Sequence, residues 1–214
     1  MTASERPVPE ASQFALARSI TTILRSTFAL GRQDRTVIAI AGESGSGKSS
    51  TATSIAHGLT AEGHPTVVLH QDDYFLRAPR ANHAHRCADL SSVGPHEVDL
   101  TLLASHIAAF RIGRANVLAP RADAASDSFV TWRPDFVNAA VLVVEGTYVL
   151  HLEESDIRIF LDATHEDTAE RRRQRNRDVD EPIIDRILAI EHDLIAPQAS
   201  RAHIVIGSDF AIRA

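Results

Sequence analysis

The sequence predicts an α/β fold, a three-layer α/β/α sandwich on a parallel five-stranded sheet. Three observations carry this. Five short apolar, β-branched runs (36–41, 65–70, 140–146, 157–162 and 202–206) read as buried strands. Stretches with apolar residues at helical spacing lie between them, the alternation that builds parallel sheets. The third observation is Gly42-Glu43-Ser44-Gly45-Ser46-Gly47-Lys48-Ser49, which fits G-x-x-x-x-G-K-[ST]. It stands between the first strand run and a Pro-free stretch, 50–59, that can wind as a helix.

The chemistry of a phosphate-binding loop asks for these residue types. Gly42, Gly45 and Gly47 let the backbone curl so that its N–H groups face an anion. The helix start adds unpaired N–H donors and the positive end of its dipole. Lys48 supplies a mobile charge for the β- and γ-phosphates, and Ser49 a hydroxyl for Mg²⁺. Glu43, Ser44, Ser46 and Ser50 complete the candidate nucleotide-binding set. The expected class is a P-loop NTPase using ATP and Mg²⁺.

Composition narrows the partners. At 214 residues the chain can bury the core of one α/β domain, expected over 11–214 behind a frayed tail at 1–10. A formal net charge of −6 disfavours a general nucleic-acid binder. Cys87 is the only cysteine, so there is no internal disulfide framework and a reducing cytoplasm is expected. No apolar run approaches the roughly 18 residues that span a membrane. Residues 1–10, with Glu5, Pro7 and Pro9, lack the apolar centre of a signal peptide. A cytoplasmic enzyme acting on small molecules, with no membrane or nucleic-acid partner, is the expectation; a homo-oligomer stays open.

In chain order, Leu16, Ile20, Ile23, Leu24 and Phe28 recur at helical spacing over 11–31, predicting a helix that covers the sheet or meets a partner. The second strand runs into Gln71-Asp72-Asp73-Tyr74-Phe75, placing carboxylates on the rim where open α/β sheets bind ligands. Adjacent Asp72 and Asp73 point in different directions. One could take a proton from an attacking hydroxyl beside a metal, or both could cap the loop. Residues 71–97 read as a long polar acceptor loop. Its His83, His85 and Cys87 fall short of the four ligands that a structural zinc site uses, so a solvated loop is expected. A helix follows at 97–111, then a β-ribbon from 117–120 and 129–132. The strand at 140–146 ends in Glu145-Gly146, an acid placed to hold Mg²⁺ or its water shell. A helix at 164–177 carries Arg171, Arg172, Arg173, Arg175 and Arg177, either a solvated face or a lid (about 165–182) that brings arginines onto phosphates. A last helix, 181–195, has Ile184, Ile187, Leu188, Glu191 and Leu194 at helical spacing.

From about residue 36 to the end, the chain resembles the uridine kinase and phosphoribulokinase group of P-loop kinases. The resemblance rests on the 42–49 loop, on Gln71-Asp72-Asp73-Tyr74-Phe75, on Pro95-His96-Glu97-Val98-Asp99-Leu100, on Val144-Glu145-Gly146 and on the arginine-rich stretch ending in Arg177-Asp178. It implies transfer of the γ-phosphoryl of ATP to a hydroxyl. Asp72 would be catalytic base and metal neighbour, Ser49 and Glu145 would serve the metal, and Lys48, Arg173 and Arg177 would act on the phosphates. Asp73, Tyr74, Phe75 and Asp123 would meet the acceptor. The departures lie in the acceptor pocket. Val93 stands where uridine kinases place a ribose-binding aspartate, and Pro120-Arg121-Ala122-Asp123-Ala124 lacks the aromatics of the family's base-gripping segment. The acceptor therefore stays open among a nucleoside, a sugar phosphate and another small alcohol. A regulatory ATP- or GTP-binding protein and a kinase of polynucleotide ends are the other classes.

Overall fold

The computed structural model describes residues 11–27, 35–169, 182–209 and 211–213. The expected tail at 1–10, the end of the first helix and most of the lid, with Arg173 and Arg177, lie outside the described residues.

The central strand β1 (Thr36–Gly42) is buried along its whole length. Its alternate residues serve opposite layers, as the two-residue period of a strand requires. Val37, Ala39 and Ala41 face one core, while Ile38 and Ile40 face the other. On the Ile38 side pack α1 (Ala11–Thr27), through Leu16, Ile20 and Leu24, and α2 (Lys48–Ala61), through Ile55 and Leu59. On the Val37 side packs a helix at Leu100–Arg111, through Leu103, Ile107 and Phe110.

Among the described residues the sheet has six strands. β2 (Thr66–His70), β5 (Val141–Glu145), β1, β6 (Ile157–Asp162) and β7 (Ile204–Gly207) run parallel in that spatial order. Two residues, β8 (Ile212–Arg213), add an antiparallel edge on β7 that the sequence reading did not include. Their short length leaves no periodicity to read. β3 (Ala119–Asp123) and β4 (Ser128–Trp132) form the separate antiparallel ribbon, with Ala119 opposite Trp132.

One stretch differs in kind from its sequence reading. Within the expected polar loop, Pro79–Ala88 is a helix, α3, whose proline sits in the first turn, where a missing N–H costs nothing. α3 has almost no apolar stripe. It is held by polar contacts to distant residues, so hydrophobic periodicity could not find it. The Leu100–Arg111 helix is α4; Asp99 caps it by accepting from Leu102 N at 2.8 Å. The last helix, α5, spans Pro182–Ile195.

Phe110 is fully buried and meets Phe136 edge to face, ring centres 5.8 Å apart. Phe110→Ala is expected to lower unfolding free energy by about 3–5 kcal/mol in denaturant titrations. A loss below about 1 kcal/mol would mean that this layer of the core is not packed as described.

Candidate active site

The glycine loop leaves the C-terminal end of β1 between β5 and β6, the point where neighbouring strands diverge and ligand crevices open. Gly42 has φ +151°, and a Cβ there would lie 2.7 Å from the Leu161 carbonyl oxygen, so only glycine lets the loop leave β1 so close to β6. Gly47, at φ 98°, precedes α2 without a side-chain cap, leaving the first N–H groups of that helix directed at the cleft. Lys48 Nζ donates to the Glu43 carbonyl at 2.8 Å, so its ammonium rests on its own loop.

Two strand tips supply the acid beside the loop. Glu145, at the end of β5, accepts from Ser49 Oγ at 3.0 Å and pairs with His70 Nδ1, at the end of β2, at 2.5 Å. Parallel register puts His70 directly opposite Glu145. Burial alone would push the Glu145 carboxyl up. The His70 hydrogen bond and charge, with Lys48 and Ser49, outweigh it and hold the group below the ordinary carboxylate range. An ionised carboxylate paired with a serine hydroxyl is an oxygen donor set that fits Mg²⁺. His70 was legible only as a strand residue. Its role depends on the register between β2 and β5.

A short helical turn, Gln71–Tyr74, follows β2 and divides its acids. Asp72 is exposed and lines the cleft with Lys48, Ser49 and Glu145. Asp73 is buried and accepts from Ala122 N at 2.9 Å, joining the turn to β3. Gly146 makes room for this turn, because a Cβ there would meet the Gln71 side chain at 2.3 Å.

The cleft has a volume of about 510 Å³. Of the expected loop residues, Ser44, Gly45, Gly47, Lys48, Ser49 and Ser50 line it. Gly42, Glu43 and Ser46 do not. Glu43 instead turns its carboxylate toward β6 and α5, accepting from His165 N at 2.6 Å and meeting His192 Nδ1 at 2.7 Å.

Two expected acceptor contacts are placed elsewhere. Tyr74 is buried in the core with its hydroxyl 2.8 Å from His106 Nδ1, and desolvation raises its phenol. The Asp123 carboxylate accepts from Ala125 N at 3.0 Å and Ser126 Oγ at 2.7 Å, closing the ribbon's turn, and Asp123 is not among the cleft residues. Phe75 does line the cleft, with the Arg86 guanidinium 5.4 Å from its ring centre.

The far half of the cleft holds residues to which the sequence reading gave no function. Arg86 of α3 donates to both Glu97 oxygens at 2.6 Å and lies 3.1 Å from Glu191 Oε1 of α5. Asn82 Nδ2 and Gly94 N also donate to Glu97, both at 3.0 Å. Burial would raise the Glu97 carboxyl, but the bonds from Arg86, Gly94 and Asn82 bring it below its usual range. Glu191 goes the other way: burial raises it more than Arg86 and Lys48 lower it. The available signal was Glu191 itself, a carboxylate on the apolar stripe of Ile184, Ile187 and Leu188.

A glycine loop at the tip of the central strand, a buried acid on the neighbouring strand and an exposed acid across the cleft are arranged as in the P-loop fold class. The sequence matches the Phosphoribulokinase / Uridine kinase family over residues 37–209, and the chain belongs to that family. A uridine kinase of Staphylococcus aureus is 30% identical over 80% of this chain and 86% of its own length. A bifunctional alpha-galactosidase/sucrose kinase of Mediterraneibacter gnavus is 28% identical over 84% of this chain, which spans only 21% of that larger protein. The solved phosphoribulokinase of Rhodobacter spheroides shares the fold, with a TM-score of 0.57 and 18% identity over 81% of this chain and 70% of that one. Among the described residues no helix is long and apolar enough to cross a membrane.

Arg86→Met would leave Glu97 and Glu191 buried without their cation, a loss expected to cost about 3–5 kcal/mol of stability at neutral pH. In the native protein Glu97 has a depressed pKa, so its contribution is present above the unfolded carboxyl value and lost as pH falls through the folded one. In the variant both carboxyls are raised, so the deficit relative to wild type should shrink as pH falls toward 4–5, about where carboxyls protonate. Thermal unfolding of both proteins across pH checks this; a deficit independent of pH contradicts it.

Proposed function

We propose that this chain transfers the γ-phosphoryl group of ATP to a hydroxyl of a small sugar-like polyol. The observation that carries the reading is the convergence of Lys48, Ser49, Glu145 and the exposed Asp72 on one cleft. In this reading the 42–49 loop and the start of α2 hold the phosphates. Lys48 leaves the Glu43 carbonyl for the β- and γ-phosphate oxygens. Ser49 and Glu145 hold Mg²⁺ directly or through water, and His70 keeps Glu145 ionised and oriented. The metal would supply charge neutralisation on the transferring group.

Asp72 orients the acceptor hydroxyl and takes its proton as the new O–P bond forms and the bond to ADP breaks. Asp73 holds β3 rather than reacting. Arg173 and Arg177 are proposed to approach the γ-phosphoryl, where arginines in related transfers contribute about 10³–10⁵ in rate.

The acceptor preference follows from the far half of the cleft. Phe75 is the only Phe, Tyr or Trp lining it among the described residues, and one side of that ring is already met by Arg86. Beyond it a pyrimidine would find only the smaller imidazole of His83 in this half to stack on. Asp72, Arg77, Asn82, His83 and Glu191 offer hydrogen-bonding groups suited to several hydroxyls. The relative bearing sucrose kinase in its name is consistent with a carbohydrate acceptor.

The test is ATP consumption over a panel of sugars, sugar phosphates and nucleosides, with product mass read directly. A sugar gaining one phosphoryl group is the expected result, with Asp72→Asn cutting turnover about 10²–10⁴-fold while ATP still binds. Preferential phosphorylation of uridine would overturn the polyol preference. Failure of every acceptor, with ATP bound, would favour a regulatory nucleotide-binding role.

A further inference from the structure

Three elements that the kinase reading leaves without a shared role meet at Glu43. Glu43 lies in the phosphate loop, His165 follows β6, and His192 sits in the last turn of α5. The Glu43 carboxylate is buried, and both of its oxygens are engaged. Oε2 lies 3.2 Å from His165 Nδ1 and accepts from the His165 backbone N–H at 2.6 Å; Oε1 lies 2.7 Å from His192 Nδ1. The two imidazoles meet edge to face with centres 5.7 Å apart. One ligand atom from each residue falls within 4.8 Å of both others.

From this convergence we propose that Glu43, His165 and His192 form a binding site for a transition-metal ion of the Zn²⁺ class, separate from the Mg²⁺ site at Ser49 and Glu145. Two imidazole nitrogens and one carboxylate are a ligand set zinc accepts with a water in the fourth position. Tetrahedral bonds of about 2.0–2.1 Å put ligand atoms roughly 3.4 Å apart, so small side-chain rotations suffice. Mg²⁺, which prefers all-oxygen octahedral surroundings, is a poor match for two imidazoles. The His165 N–H bond to Oε2 orients the carboxylate independently of the rings, as an outer partner does in built metal sites.

The site differs from the His83 and Cys87 pair on α3, where Cys87 Sγ lies 3.6 Å from His83 Nε2 and no third ligand joins them among the described residues. At Glu43 the ligands come from three segments far apart in sequence. A bound ion would therefore cross-link the phosphate loop to the C-terminal end of β6 and to α5. Metal that binds the folded chain and not the unfolded one must stabilise it.

The test uses the intact metal-free protein. Zn²⁺ is titrated against a chromophoric chelator, with excess Mg²⁺ present so that the Mg²⁺ site does not compete, and Co²⁺ is added separately to read the visible spectrum. One high-affinity equivalent of Zn²⁺ is expected, with an intense tetrahedral Co²⁺ spectrum and a higher unfolding temperature on adding Zn²⁺. His192→Gln and His165→Gln should each weaken Zn²⁺ binding at least tenfold and abolish the Co²⁺ spectrum. Thermal unfolding without metal checks that the variants are folded. Zn²⁺ binding unchanged in both variants, or no binding by the wild type, overturns the site. Neither readout depends on phosphoryl transfer, so the outcome stands apart from the kinase assignment.

Discussion

The arrangement of the active site depends on keeping a charged carboxylate ionised where water is nearly excluded. Glu145 is only 4% exposed, and a carboxylate in that position is unfavourable without compensation. Its compensation comes from three directions: His70 from the adjacent strand, the Ser49 hydroxyl from the start of α2, and the Lys48 charge from the loop. Each partner fixes an element. The end of β2, the start of α2 and the phosphate loop are thus tied to one acid. In the proposed reading, Ser49 and Lys48 would also serve the metal and the phosphates.

The far half of the cleft solves a related problem. Two buried glutamates, Glu97 and Glu191, share the single guanidinium of Arg86. The network holds α3, which lacks an apolar face of its own, against α5 and the turn at Pro95–Glu97. If Glu191 meets the acceptor as proposed, a substitution there would also disturb this network and cost folding free energy.

Much of the fold was legible because its signals are local. Strand runs such as Val141–Glu145 are continuous and apolar, and the 42–49 loop must carry glycines where its backbone turns. Asp72 and Glu145 could be read as site candidates because each stands at a strand end beside that loop. What was illegible depends on contacts between distant segments. The helix α3 has polar composition and reads as loop until Glu97 and Glu191 are seen to anchor Arg86. Tyr74 and Asp123 stand beside acceptor-side residues in sequence, yet one turns into the core toward His106 and the other closes a hairpin turn. Sequence adjacency does not report the direction of a side chain.

Ser49 and Glu145 are proposed to serve a metal bound with the nucleotide in this cleft. Calorimetric ATP titrations of wild type and Glu145→Gln, each with and without Mg²⁺, test it most directly. Wild type should bind ATP more tightly with Mg²⁺, by about tenfold or ~1.4 kcal/mol, and the variant should lose most of that gain while remaining folded. An undiminished Mg²⁺ effect in Glu145→Gln would contradict the assignment and place the metal on other residues.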